Sequence, residues 1–143
     1  MLLVGGIGML LLVCTTVMHY EMLRGLSFCL SSFGVAARAK LLVVIFSTFL
    51  AHAGEILLYA LAMYALVRHF GLGALGSSRH VSFSASLYFS AETYTSLGYG
   101  DVVPSGDLRL LAGLEALNGL LLIGWSASYT YIAMERFWNG RVR

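Results

Sequence analysis

The chain alternates long apolar runs with short polar breaks. The first run, "MLLVGGIGMLLLVCTTVMHY", begins at residue 1. It lacks the charged start and the small-residue cleavage site of a secretory leader, so it predicts a retained helix. A more polar connector from Glu21 to Ala39 carries Arg24 and Arg38, with breaks expected at Gly25 and Gly34. Lys40 opens the second run, "KLLVVIFSTFLAHAGEILLYALAMYALVRHF", long enough for a tilted span. The glycines and serines of "GLGALGSSRH" read as an exposed loop. Val81 to about Thr95 is compatible with a helix. At ~1.5 Å per residue it crosses only about two-thirds of a ~30 Å hydrocarbon core, so it must dip in and return. Leu108 to Trp138 is the third full span, with only five residues after it. The pattern predicts a transmembrane helix over 1–24, a connector over 25–39, a second span over 40–70, a loop and re-entrant segment over 71–107, and a last span with a short tail over 108–143.

Composition agrees with that pattern. Apolar residues make up 59% of the 143 positions and charged residues 11%, against about 25% charged in soluble domains. The chain is therefore read as an all-α integral membrane protein, with no length left for a separate soluble domain. A net charge of +2 is too small to suggest nucleic-acid binding. Its placement is more telling. Arg24, Arg38 and Lys40 lie between the first two spans, and Arg136, Arg141 and Arg143 follow the last, whereas Arg68, Arg79 and Arg109 flank the re-entrant segment. The positive-inside rule then puts the connector and the C-terminus in the cytoplasm and the N-terminus outside. Cys14 and Cys29 resemble neither a metal site nor a disulfide framework. No Ser or Cys has a histidine and a carboxylate at a catalytic spacing, so no enzyme, small-molecule substrate or cofactor is expected.

Polarity is concentrated in "SAETYTSLGYGDVVP", Ser90 to Pro104. Irregular backbone at membrane depth is tolerated only where protein buries it or water lines it. Gly98 and Gly100 can adopt torsions closed to other residues, which lets successive carbonyl oxygens turn towards one axis. Four copies around that axis make stacked oxygen rings able to replace a cation's hydration shell. The short helix before them points its negative C-terminal end at the same place.

The segment Ser96-Leu97-Gly98-Tyr99-Gly100-Asp101 resembles the potassium-channel signature Thr-Val-Gly-Tyr-Gly-Asp. Pro104 and the order of span, short helix, glycine-rich segment and span extend the resemblance over roughly residues 40–138. It implies a homotetrameric potassium channel in the bilayer of a bacterial or archaeal inner membrane. Ser96, Leu97, Gly98, Tyr99 and Gly100 would form its filter, with K+ at their carbonyls as the permeant ion. Two departures matter. Serine for threonine keeps a hydroxyl but loses a methyl that stiffens χ1, and leucine for valine adds bulk behind the filter.

Within the same resemblance, Glu92 lies nine residues before Asp101, where some two-helix bacterial channels carry a glutamate paired with the filter aspartate. Such carboxylates share a proton, which makes Glu92 a candidate control on inactivation; the other reading is that it satisfies backbone around the pore helix. Tyr88 and Phe89 stand where those channels have tryptophans, and only Tyr88 can donate to Asp101. In related channels the last helix bends nineteen residues after the filter aspartate, which here is Leu120, with Gly119 one residue early. Helical stepping assigns Leu117, Leu120 or Leu121, Gly124, Ser128 and Tyr131 or Ile132 to the cavity face. Gly119 misses that face and reads as a packing position. Gly124 reads equally as hinge or packing.

Ionisable residues inside spans are functional candidates. His52 and Glu55 share one face of the second span, and Glu115 lies higher, near the re-entrant helix. They read either as a structural cluster with Ser126 or the Trp125 indole, which the residue types favour, or as a proton-sensitive contact. His19, His69 and His80 are expected at interfaces, solvated. Tyr129, Tyr131, Phe137 and Trp138 are expected to anchor the last span in headgroups. A span before the pore module without repeating arginines is no voltage sensor of the usual kind. The reading is a potassium channel, with a poorly selective monovalent cation channel, or a non-conducting subunit that modulates another transporter, as the alternatives.

Overall fold

The computed structural model describes residues 1–32, 36–76 and 81–139, with residues 31–32 and 137–139 described by backbone alone. Gly34, Arg79, His80, Arg141, Arg143 and the side chains of Phe137 and Trp138 lie outside the described residues. Four helices account for most of the chain: α1 (Leu2–Ser32), α2 (Ala37–Phe70), α3 (Phe83–Tyr94) and α4 (Leu108–Asn139). Three of them, α1, α2 and α4, are long and apolar enough to cross a membrane. At ~1.5 Å per residue the 12 residues of α3 reach only about 18 Å.

Helix α1 runs on well past residue 24, so the break expected at Gly25 does not occur. Leu23, Leu26 and Leu30 are all buried, and their spacing keeps one face of the helix against the bundle through this region. A lone glycine in a helix costs only about 1 kcal/mol relative to alanine. That packing outweighs it.

The other boundaries follow local chemistry. Gly71 closes α2 in the left-handed region at φ 61°, and its N–H reaches back to the Leu66 carbonyl. Ser82 caps α3, its hydroxyl accepting the Ala85 N–H at 3.1 Å. Thr95 ends α3 by donating its hydroxyl to the Ala91 carbonyl at 2.7 Å.

Helices α1 and α3 each pack against both α2 and α4, and not against one another. An apolar cluster at one end of the bundle joins Val4, Tyr59, Met63, Leu66, Phe89, Leu108 and Leu111. A smaller one at the other end joins Leu26, Leu30, Val44 and Ala133. Between them along the helices lies a buried polar layer of Thr15, His19, Glu55, Ser90, Glu115, Asn118 and Ser126. In this layer Asn118 donates to Thr15 Oγ1 at 2.7 Å and to the Tyr59 hydroxyl at 3.2 Å, joining α4 to α1 and α2. Lipid is as apolar as leucine, so helices here gain little from hydrophobic burial; small residues and interhelical hydrogen bonds worth roughly 0.6 kcal/mol each carry the association. Gly119 illustrates the first device. A Cβ at that position would run into the backbone carbonyl of Tyr94, so glycine is what lets α4 lie against the end of α3.

Candidate functional site: the segment after α3 and its supports

The last turn of α3 holds the segment that follows it. Ser96 N–H donates to the Thr93 carbonyl at 3.0 Å and Leu97 N–H to the Glu92 carbonyl at 2.9 Å. Tyr99 N–H donates to Glu92 Oε1 at 2.9 Å. Buried Glu92 therefore holds two amides of the segment, one with its backbone oxygen and one with its side chain.

The torsions alternate. Ser96, Gly98 and Gly100 have φ of 57°, 53° and 80°, while Leu97 and Tyr99 stay in the ordinary negative region. Ser96 is the one non-glycine residue with positive φ among the described residues, a conformation rare enough in such residues to mark a functional constraint. Where φ alternates in sign, successive carbonyls can turn to one side of the chain. Glu92 thus meets the N–H groups of Leu97 and Tyr99 from one side of the segment. Leu97 is 58% exposed and Tyr99 70% exposed in the single chain.

Asp101 is held separately. Tyr88 donates its hydroxyl to both carboxylate oxygens at 3.2 and 3.1 Å, and Asp101 Oδ1 also accepts the Val102 N–H at 3.1 Å. No hydrogen bond joins Glu92 to Asp101 among the described residues, so the carboxylate pair expected from the resemblance is not formed; the Glu92 carboxylate meets the Tyr99 amide instead. Phe89 is buried in the apolar cluster. Beyond the segment, Gly76 N–H donates to the Val103 carbonyl at 3.0 Å and Ser105 N–H to the Ala74 carbonyl at 2.9 Å. This ties the loop before α3 to the chain leaving the segment. Gly73 is required there, because a Cβ would collide with the Ser105 carbonyl.

On α4 the positions assigned to a cavity, Leu117, Leu121, Gly124 and Ser128, all lie exposed, together with Leu120, Tyr131 and Ile132. The opposite face, with Leu111, Glu115, Asn118, Leu122 and Ser126, is buried. The Ser128 hydroxyl donates to the Gly124 carbonyl at 3.0 Å, a back-bond that commonly bends helices. No atom lies within 4 Å of a Cβ at Gly124, so packing does not require a glycine there.

The ionisable residues separate into two groups. Glu55 accepts from His19 Nδ1 at 2.8 Å, from His52 Nδ1 at 3.0 Å and from the Tyr94 hydroxyl. Glu115 is not part of this cluster and meets Ser90, whose hydroxyl also reaches the Ile56 carbonyl at 2.8 Å. Ser90 has a single proton and faces two acceptors, the Glu115 carboxylate and the Ile56 carbonyl. Ser126 joins the first group through His19 Nε2, at 3.1 Å, and the Trp125 ring lies 5.5 Å from that of His19. The sequence reading misplaced His19 at an interface. It is fully buried, because α1 continues to Ser32 and position 19 falls inside the span rather than near its end. Tyr94 was missed as well; a hydroxyl at the last position of a short helix was the available signal.

Three comparisons bear on this arrangement. Residues 40–136 match the protein family described as "Ion channel". Over 97 residues, 67% of this chain, the sequence is 32% identical to the inward rectifier potassium channel Kirbac3.1 of Paramagnetospirillum magnetotacticum. That stretch is 33% of the relative, so the chain spans about a third of the length of the curated protein it matches. No solved structure gives a significant match.

Proposed function

The chain belongs to the ion-channel family, within the potassium-channel superfamily, and on that premise we propose that four copies assemble around the segment from Ser96 to Gly100 to conduct potassium ions passively across a membrane. The observation that carries the reading is the alternation of φ along that segment, with the N–H side held by Glu92. Rings of carbonyls from four subunits replace the water around a dehydrated cation. The C-terminal end of α3 adds its negative dipole towards the same axis. The exposed face of α4 around Leu117, Leu121 and Gly124 lines the cavity below, and the exposed Leu97 and Tyr99 side chains pack against neighbouring subunits. No cofactor takes part; potassium is the cargo. The membrane is a cell inner membrane, with the connector after α1 and the C-terminus in the cytoplasm, as the basic residues direct.

A second reading, a poorly selective monovalent cation channel, is favoured by Ser96 and Leu97, which loosen and crowd the inner end of the filter. Proteoliposomes containing the purified chain separate the readings. Selective potassium conduction predicts potassium uptake well above sodium uptake, weak selectivity predicts comparable uptake of both, and absence of either flux contradicts a channel.

A further inference from the structure

The buried cluster around Glu55 is not accounted for by conduction, and it depends on a helix outside the stretch that matches the ion-channel family. His19 comes from α1, whereas the family match begins at residue 40. His19, His52 and Glu55 each offer one ligand atom, and these three atoms all lie within 4.8 Å of one another. Both histidines aim the same ring nitrogen at one carboxylate, at 2.8 and 3.0 Å. The Tyr94 hydroxyl donates to Glu55 and lies 2.9 Å from His52 Nδ1. His19 and Glu55 are fully buried.

We propose that His19, His52 and Glu55, with the Tyr94 phenol at their edge, bind a divalent transition metal of the zinc class. Two imidazoles, a carboxylate and a phenol oxygen suit Zn2+, Co2+, Ni2+ or Cu2+, whereas Mg2+ and Ca2+ favour all-oxygen sites. The outer shell fits too. A metal on His19 Nδ1 requires the proton to sit on Nε2, and Nε2 already faces the Ser126 hydroxyl at 3.1 Å, the kind of outward hydrogen bond that fixes the tautomer of a ligating histidine. Charge points the same way. No Lys or Arg is hydrogen-bonded to Glu55 among the described residues, so with neutral imidazoles the cluster carries one negative charge in a water-poor interior, which is costly. A divalent cation offsets that charge. It also ties α1 to α2 and, through Tyr94, to the last turn of the helix that carries the filter.

The test is Co2+ titration of the full chain in lipid nanodiscs, followed by visible d–d absorption, with Zn2+ as competitor. The site predicts one Co2+ per chain with a four-coordinate spectrum, displaced by Zn2+. His19→Gln keeps an amide able to donate to Glu55 but removes the imidazole ligand, and should weaken Co2+ at least about tenfold, as should His52→Gln. His69→Gln, at the far end of α2, should leave binding unchanged. Zn K-edge X-ray absorption on the wild type needs no variant and should read two imidazole ligands. Absence of stoichiometric Co2+ binding by folded wild type, or His19→Gln binding as tightly as wild type, overturns the proposal. So does pH-dependent behaviour without metal binding, which assigns the cluster to a proton. None of these readouts requires conduction, so failure of the site and failure of the channel reading are separable.

Discussion

The segment from Ser96 to Gly100 and the layer around Glu55 are two polar regions in an apolar protein, built in opposite ways. Between Ser96 and Gly100 the chemistry lies in the backbone, where φ alternates in sign, and Leu97 and Tyr99 stand exposed. Around Glu55 the chemistry lies in side chains, and every partner lies inside one chain, drawn from α1, α2, α3 and α4. A backbone device must be written contiguously, because torsions belong to successive residues. A side-chain device can be scattered, because the fold brings its parts together. Under the proposed function the first serves an assembly, whereas the second holds one chain together.

That contrast predicts where substitutions act. The largest effect should come from Gly98→Ala. Positive φ costs an L-residue roughly 1–2 kcal/mol, and in the proposed tetramer all four subunits would incur it in one ring. We predict loss of potassium-selective flux with the helical content of the subunit unchanged by circular dichroism; retained selectivity would mean the alternating torsions are not what conduction uses. Gly119→Ala comes next, because it strikes the joint between the two regions. The new Cβ meets the Tyr94 carbonyl, and overpacking of this kind costs about 1–3 kcal/mol. A clear fall in the thermal midpoint of the detergent-solubilised protein is expected, and an unchanged midpoint would count against the close approach of α4 to α3.

Glu92→Ala should sharpen the comparison further. It leaves the Tyr99 N–H without its acceptor, at a cost of about 1–3 kcal/mol, so the filter should inactivate faster during sustained current. Glu92→Gln keeps an amide oxygen for that N–H and should stay close to wild type. An equal departure of both variants from wild type would argue that the charge matters and the hydrogen bond does not. Tyr88→Phe should do least. It removes one hydrogen bond to Asp101, worth about 0.5–1.5 kcal/mol in a typical setting, and should shift inactivation modestly while leaving selectivity alone.

The same contrast explains what the sequence could disclose. The helices after residue 40 and the irregular segment after α3 were legible because apolar runs, glycines and a six-residue signature are local. The end of α1 was not. Gly25 carries a break signal that only the buried face of Leu23, Leu26 and Leu30 overrides, and that packing is tertiary. His19 was misread as a consequence, since its depth depends on where α1 ends. Glu92 was identified as a support, yet its partner could not be read from spacing. The choice between Asp101 and the Tyr99 amide depends on how the chain turns after Thr95, and the positive φ of Ser96 sets that turn. The exposed face of α4 was legible in part, because exposed and buried positions alternate at helical spacing around Gly124 and Ser126.

The central claim, that this backbone dehydrates and selects potassium, is tested most directly by the reversal potential of single channels in a planar bilayer with potassium on one side and sodium on the other. The account predicts a reversal displaced far towards the potassium equilibrium potential. A reversal near zero would contradict it and leave a channel that passes both ions.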